Sequence, residues 1–331
     1  MSRAATITQM SIMTSLDKRR EDSQFGQMLS AVQEKDPIFI LGHWRSGTTL
    51  LHNLLSQDKR FAYPNLFQVT HPHTFLIREE IVEKRLAESD PNKRQMDNVN
   101  ISFKSPGEDE SALAVISLRS PVLGWVFPNN ETFYDQFLTF DGVEEDETRK
   151  WESAFVKFHR KLTLNNKRPL LFKSPTHTAR IKRLLCNYPG ARFINIHRNP
   201  YRVFQSTKRM YEKVFPNVSL QEPIFERLDK RILNRYEIMY DAFFNDLNQI
   251  PDSQFVDVRF EDLEKDMIGQ VEMIYDALNL PEFITFKPKL ERYIESIAGY
   301  KKNPYPKFPE ERKKLIAQTW KRSFEVWSYP A

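Results

Sequence analysis

The stretch Pro37-Ile-Phe-Ile-Leu-Gly-His-Trp-Arg-Ser-Gly-Thr-Thr-Leu-Leu-His-Asn-Leu-Leu55 constrains the fold more than any other. Ile38 to Leu41 is a short apolar run with no internal polar group, the pattern of a strand covered on both faces of a parallel sheet. Gly42 ends it. From Thr48 onward Leu50, Leu51, Leu54 and Leu55 recur at helical spacing. A tight turn thus carries the chain from a buried strand into a helix N-terminus. Free backbone N–H groups and the positive end of the helix dipole face outward there and favour an anion.

The turn resembles a P-loop with one departure. Gly42 and Gly47 keep the GxxxxG spacing, and Thr48 and Thr49 follow. The Lys that would reach β- and γ-phosphates is missing, and the cation, Arg45, lies inside the loop instead. A guanidinium with neighbouring hydroxyls binds a terminal phosphate in bidentate fashion.

The 331 residues suffice for one large α/β domain or two small ones. No internal repeat, low-complexity tract or linker divides them, so a single domain is expected. Net charge is +5, with basic and acidic residues interspersed, which suits an anionic ligand without arguing for nucleic acid. No apolar run approaches transmembrane length, and no basic-then-apolar signal opens the chain. The one cysteine, Cys186, excludes an intrachain disulfide and a multi-cysteine metal site. The default is a cytoplasmic, soluble protein.

Residues 1–35 read as an N-terminal helical extension, packed on the domain or exchanged with a partner; a homodimer stays open. Residues 36–331 read as the domain, with a C-terminal helical region from about 281 that contains Tyr300-Lys-Lys-Asn-Pro-Tyr305 and closes with a helix from Glu310 to Glu325. Leu66 to Thr70 reads as a second strand, with Gln68 inside it and His71 and His73 just beyond. Such strand ends are where open α/β sheets bind ligands, although a pair of histidines alone is a poor metal site. Ile77 to Arg94 has a helical pattern. Ser105 or Gly107 can cap a helix whose first turn carries Glu108, Asp109 and Glu110, favourably placed on the dipole. The aromatic stretch Pro121 to Phe140 reads as an irregular lid walling an apolar pocket, or as ordinary core.

Helix Glu144 to Leu164 puts Trp151, Phe155, Phe158 and Leu162 on one face. Arg168 to Pro175 is a strand that stops at Pro175, with Lys173 and Ser174 at its carboxyl end and Thr176-His177-Thr178 opening the next helix. Ala191 to His197 is another buried strand, followed by Arg198-Asn-Pro200 and a helix containing Ser206. Phe255 to Phe260 is the last clear strand. Strands alternate with helices and polar residues gather at strand ends, as in a doubly wound parallel sheet.

Three motifs stand together: Arg45-Ser-Gly-Thr-Thr49, Arg198-Asn-Pro200 with Ser206 eight positions beyond Arg198, and Val258-Arg-Phe-Glu-Asp-Leu263 before a late helix. In this order and context they resemble the sulfotransferase family that uses 3′-phosphoadenosine 5′-phosphosulfate (PAPS), over roughly residues 36 to 280. Each motif is short; the set is specific. The resemblance implies a single α/β domain of P-loop-like architecture, with PAPS as co-substrate and no metal. It implies that Arg45, Ser46, Gly47, Thr48 and Thr49 hold the 5′-phosphosulfate, and that Arg198 and Ser206 hold the 3′-phosphate.

The implied reaction is in-line transfer of a sulfuryl group to an acceptor hydroxyl or amine. Cations at the leaving oxygen stabilise the transition state over the ground state. Arg45 and Lys173 correspond to the family's cations for that task. The base is a departure: cytosolic members carry a His two positions after the strand lysine, where this chain has Pro175. Lys-Ser-Pro-Thr-His177 looks like a bacterial branch. Tyrosyl-protein members use a Glu after the first helix, where this chain offers Gln68. The order of candidates is His177, Glu108, His73; a histidine suits the task near neutral pH.

Two other readings compete: a nucleotide-binding kinase or NTPase with a degenerate P-loop, and a non-catalytic binding protein on the same fold. Lack of the P-loop Lys argues against the first, and Arg45, Lys173, Arg198 and Ser206 together argue against the second. The aromatic stretch 121–140 favours a small lipophilic acceptor, such as a sterol, another lipid or a phenol.

Overall fold

The computed structural model describes residues 3–86, 92–93, 100–299 and 308–331. In chain order, α1 (Arg3–Ser30) leads into β1 (Ile38–Leu41) and α2 (Thr48–Leu55). Next come α3 (Leu66–Thr70), α4 (Phe75–Leu86), the antiparallel pair β2 (Asn92–Lys93) and β3 (Asn100–Ile101), and α5 (Asp109–Ser117). Two short helices, α6 (Leu123–Val126) and α7 (Glu131–Asp135), precede α8 (Glu145–Asn165). Then β4 (Leu171–Lys173), α9 (Ile181–Asn187), β5 (Arg192–His197), α10 (Pro200–Val218), α11 (Leu228–Asp246) and β6 (Phe255–Arg259) follow. Helices α12 (Phe260–Lys265), α13 (Met267–Ala277), α14 (Phe283–Ile297), α15 (Glu310–Thr319) and α16 (Lys321–Val326) close the order.

The main sheet has the order β4-β1-β5-β6, with every pairing parallel. Strand β1 is central and buried along its whole length, as its unbroken apolar run requires. Alternate side chains feed two cores on opposite faces. Phe39 stacks between Phe172 at 5.6 Å and Phe193 at 5.5 Å, on the face covered by Trp151, Phe155 and Phe158 of α8. Ile38 and Ile40 face Leu51 and Leu54 of α2 and Ile274 of α13. The α/β architecture, with one parallel sheet flanked by helices, is the expected one.

Helix α1 reaches the body through buried acids. Asp17 pairs with Arg78, and Glu21 pairs with Lys161 of α8 and accepts the Leu76 N–H.

Three local expectations are corrected. Leu66 to Thr70 is a helix: Asn65 caps the Gln68 N–H, and the Gln68 side chain returns to the Asn65 N–H. This capping box outweighs the strand propensity of so short a run. Glu108, rather than Ser105 or Gly107, is the N-cap of α5, and it makes no capping side-chain bond. The expected C-terminal helix 310–325 is two helices broken at Trp320. The Tyr300–Tyr305 stretch and the last residues of the expected helix 77–94 lie outside the described residues.

Candidate active site at the strand tips

All four strands of the main sheet point their carboxyl ends the same way. Parallel register sets Ile40 opposite both Lys173 and Ile194, so the β4 and β5 tips flank the loop that leaves β1. That loop depends on its glycines. A Cβ on Gly42 (φ 134°) would lie 2.4 Å from the Ile196 carbonyl oxygen, and one on Gly47 (φ 110°) would lie 2.2 Å from the Phe260 ring. Arg45 itself has φ 73°, uncommon for a residue with a side chain. Gly47 is the N-cap of α2 and supplies no side-chain bond, so the first backbone N–H groups of α2 are left to a ligand or solvent.

Arg45 Nε donates to Ser206 Oγ at 2.9 Å, across 161 residues of sequence. Arg198 donates to the Arg45 carbonyl oxygen at 3.3 Å, and its guanidinium lies 4.1 Å from the Phe260 ring centroid. The two arginines and Ser206 therefore occupy one place. Both arginines keep part of their surface exposed, while Ser206 is buried. Ser46 is fully buried and its hydroxyl donates inward to the His43 carbonyl, so it braces the loop. Thr48 is buried and Thr49 half-buried at the start of α2.

A second group lies at the β4 tip. Three consecutive acids, Glu108 at the N-cap of α5 and Asp109 and Glu110 in its first turn, meet the end of β4 and the segment after it one by one. Glu108 accepts from Lys173 Nζ at 2.5 Å. Asp109 accepts from Ser174 Oγ at 2.8 Å and pairs with His177 Nε2 at 2.6 Å. Glu110 takes Arg180 through both oxygens at 2.6 and 3.0 Å, and also accepts from Thr176 and Ser120. Gly42 N–H donates to Thr178 Oγ1 at 2.7 Å and ties this segment to the β1 loop.

Burial separates these partners. The Glu108 side chain keeps 30% of its surface exposed and the Lys173 side chain 3%. His177 and Asp109 keep none. Burial alone would raise the Asp109 carboxyl, but His177 and Ser174 overcome it and hold it below the usual carboxylate range. His177 thus has no surface from which an acceptor could be reached, and its ring packs 5.4 Å from Phe39. His73 is half-buried among α1 and α8; burial, then Lys18, Lys161 and Lys157, lower its pKa. It is not at the strand tips. Gln68 is bound to Asn65 and Glu79.

The aromatic stretch 121–140 folds as short helices beside the loop. Trp125 lies 5.9 Å from Trp44, and Arg235 of α11 holds the segment through Glu131 and Asp135. Burial raises the Glu131 carboxyl, against the pull of Arg235 and Arg231. Sequence reasoning missed Asp109, Glu110, Thr178 and Arg180 as partners, and Phe260 as the floor under Arg198. Their spacing carries no local signal, because each partner lies tens of residues away.

A parallel sheet whose central loop opens a helix N-terminus, with cations converging from two strand tips, is a P-loop-like architecture. The chain belongs to the sulfotransferase family: the family's model matches residues 37–284. It is 32% identical over 309 residues, 92% of this chain and 78% of the relative, to the omega-hydroxy-beta-dihydromenaquinone-9 sulfotransferase Stf3 of Mycobacterium bovis, and equally to that of Mycobacterium tuberculosis. The fold is similar to that of sulfotransferase STF9 from Mycobacterium avium, with a TM-score of 0.76 at 15% identity, covering 94% of this chain and 81% of that one. It is also similar to sulfotransferase STF1 from Mycobacterium tuberculosis, with a TM-score of 0.65 at 17% identity, covering 92% and 81%. The chain is a sulfotransferase, and no described helix is long and apolar enough to cross a membrane.

Proposed function

We propose that this enzyme transfers the sulfuryl group of PAPS to a hydroxyl on a small lipophilic acceptor. The observation that carries the reading is the meeting of Arg45, Arg198 and Ser206 between neighbouring strand tips, with Lys173 at the tip of the adjoining β4. Bound PAPS supplies a sulfuryl group joined to a phosphate leaving group. The cationic, hydroxyl-bearing set fits such a polyanion, as does a helix N-terminus without a side-chain cap.

Arg45 and the first N–H groups of α2 hold the 5′ end, and Arg198 with Ser206 holds the 3′-phosphate. Lys173 and Arg45 stabilise charge growing on the leaving oxygen. Glu108 takes the acceptor proton, because it is the one base candidate with both exposed surface and a place beside Lys173. His177, fully buried against Asp109, positions the 173–180 segment instead. Trp44 and Trp125 wall the acceptor side. The name of the Stf3 relative, a hydroxylated dihydromenaquinone, supports a lipid hydroxyl as acceptor.

Incubation with PAPS and a panel of lipophilic alcohols, phenols and hydroxylated quinols, read by mass spectrometry, tests the reading. A product heavier by one sulfuryl group is expected. Transfer of phosphate from ATP with no sulfated product would overturn it.

A further inference from the structure

The Val258–Leu263 motif takes no part in the chemistry above, yet its Glu261 reaches the backbone next to the arginine assigned to the 3′-phosphate. Glu261 Oε1 accepts the backbone N–H of Asn199 at 3.0 Å, and Glu261 Oε2 accepts from Tyr329 Oη at 2.8 Å. The same Tyr329 oxygen lies 3.1 Å from His197 Nδ1. Tyr329 has one proton and gives it to Glu261, so His197 must be the donor in that second bond. Burial lowers the His197 pKa to about 3, and Arg259 adds to this, so the ring is neutral and has one N–H to give. The chain of bonds runs from His197 through Tyr329 and Glu261 to Asn199. It closes around Arg198, which sits between its two ends in sequence.

The strap that brings Tyr329 here is itself fixed. Trp327 stacks on His197 with centroids 4.6 Å apart and planes 2° from parallel. Its indole N–H donates to Asp257 on β6 at 3.0 Å. Ser328 turns the chain with φ 52°, and the Tyr329 N–H returns to the Phe324 carbonyl at 3.0 Å. Arg259 covers the Tyr329 ring at 4.2 Å. Tyr329 is buried, although 130 residues of sequence part it from Asn199 (329 − 199).

We infer that Tyr329, acting through Glu261 and His197, is a positioning residue for the 3′-phosphate clamp. It holds the His197 ring on one side of Arg198 and, through Glu261, the Asn199 backbone on the other, so that the guanidinium is aimed before the donor arrives. Preorganised charge costs no rearrangement on binding. The inference rests on the reading of Arg198 as the 3′-phosphate ligand. It predicts that Tyr329 governs discrimination between nucleotides with and without that phosphate.

The test is calorimetric binding of adenosine 3′,5′-bisphosphate (PAP) and of AMP, which lacks the 3′-phosphate. Wild type, Tyr329→Phe and Glu261→Gln are compared. Tyr329→Phe keeps the ring under Arg259 and removes only the hydroxyl. Wild type is expected to prefer PAP, and Tyr329→Phe to lose about tenfold of that preference with AMP affinity unchanged. Glu261→Gln should behave alike, and it stands in if Tyr329→Phe does not fold. An equal fall in both affinities, or an unchanged preference in the variants, would overturn the inference. Wild type that does not prefer PAP to AMP would instead overturn the reading of Arg198 itself.

Discussion

Two neighbouring regions at the strand tips are built in opposite ways. Around the β1 loop, Arg45 and Arg198 keep exposed surface and bond to a hydroxyl and a carbonyl. After β4, residues 174–180 are buried and bonded to the two inner acids of α5. The first region leaves charge partly at the surface. The second spends its charge internally and holds the tip of β4 against α5 and, through Thr178, against the β1 loop. Lys173 and Glu108 stand at the border, paired with each other yet reached by solvent through Glu108. A charged motif at a strand end can thus be machinery or scaffold, and burial with partner count decides which.

The comparison breaks most readily on stability. Glu110→Ala leaves the Arg180 guanidinium buried without its carboxylate, and should cost about 3–5 kcal/mol in denaturant unfolding. A loss below about 1 kcal/mol would move the 173–180 segment out of the scaffold class. Arg45→Ala should do the reverse. We expect turnover to fall by about 10²–10³-fold with stability nearly unchanged, measured by sulfated product and thermal unfolding on one preparation.

Glu108→Gln and His177→Ala sharpen the border. Glu108→Gln should lower kcat by about 10²-fold or more while PAP affinity holds. His177→Ala should destabilise by about 2–4 kcal/mol, since it leaves a cavity beside Phe39 and strips Asp109 of its partner. Its kcat per folded molecule should stay within a few fold of wild type. A His177→Ala variant that is stable but inactive would restore His177 as the base.

The last effect is on pH. His43, His52, His159 and His197 each have a pKa lowered to about 3, chiefly by burial. Unfolding lets each take a proton below its ordinary value of about 6.5, so the unfolded state binds more protons in that range. Stability is therefore full above about pH 6.5 and falls as pH drops towards 3, by at most about 1.4 kcal/mol per pH unit for each histidine. Asp109, held below its usual range, adds to the loss at the acid end. Urea midpoints taken between pH 7.5 and 5 would show this; a flat profile would mean that these rings titrate in the folded protein.

The β1 loop was legible in the sequence because everything it needs is local. Strand, glycines, cation and helix start fall within residues 37–55, and Arg198 and Ser206 repeat the pattern on β5 and α10. Trp151, Phe155, Phe158 and Leu162 declared the buried face of α8 through spacing alone. Leu66 to Thr70 misled because a capping box from Asn65 and Gln68 decides a five-residue segment that apolar pattern leaves ambiguous. Glu108, Asp109 and Glu110 looked like dipole partners of a helix. Their true partners lie 64 to 70 residues on, a pairing that no short-range pattern reports. His177 drew attention as a histidine near a strand end, and only burial shows that it faces inward.

The claim beneath the rest is that Arg45 and Arg198 form one anion site with two clamps. Calorimetry of PAP binding to wild type, Arg45→Ala and Arg198→Ala measures it directly. Saturable binding by wild type is expected, weakened about 10–100-fold in each variant, as loss of a charge-assisted hydrogen bond implies. No heat from wild type at millimolar PAP, or equal affinity in all three proteins, would contradict the account.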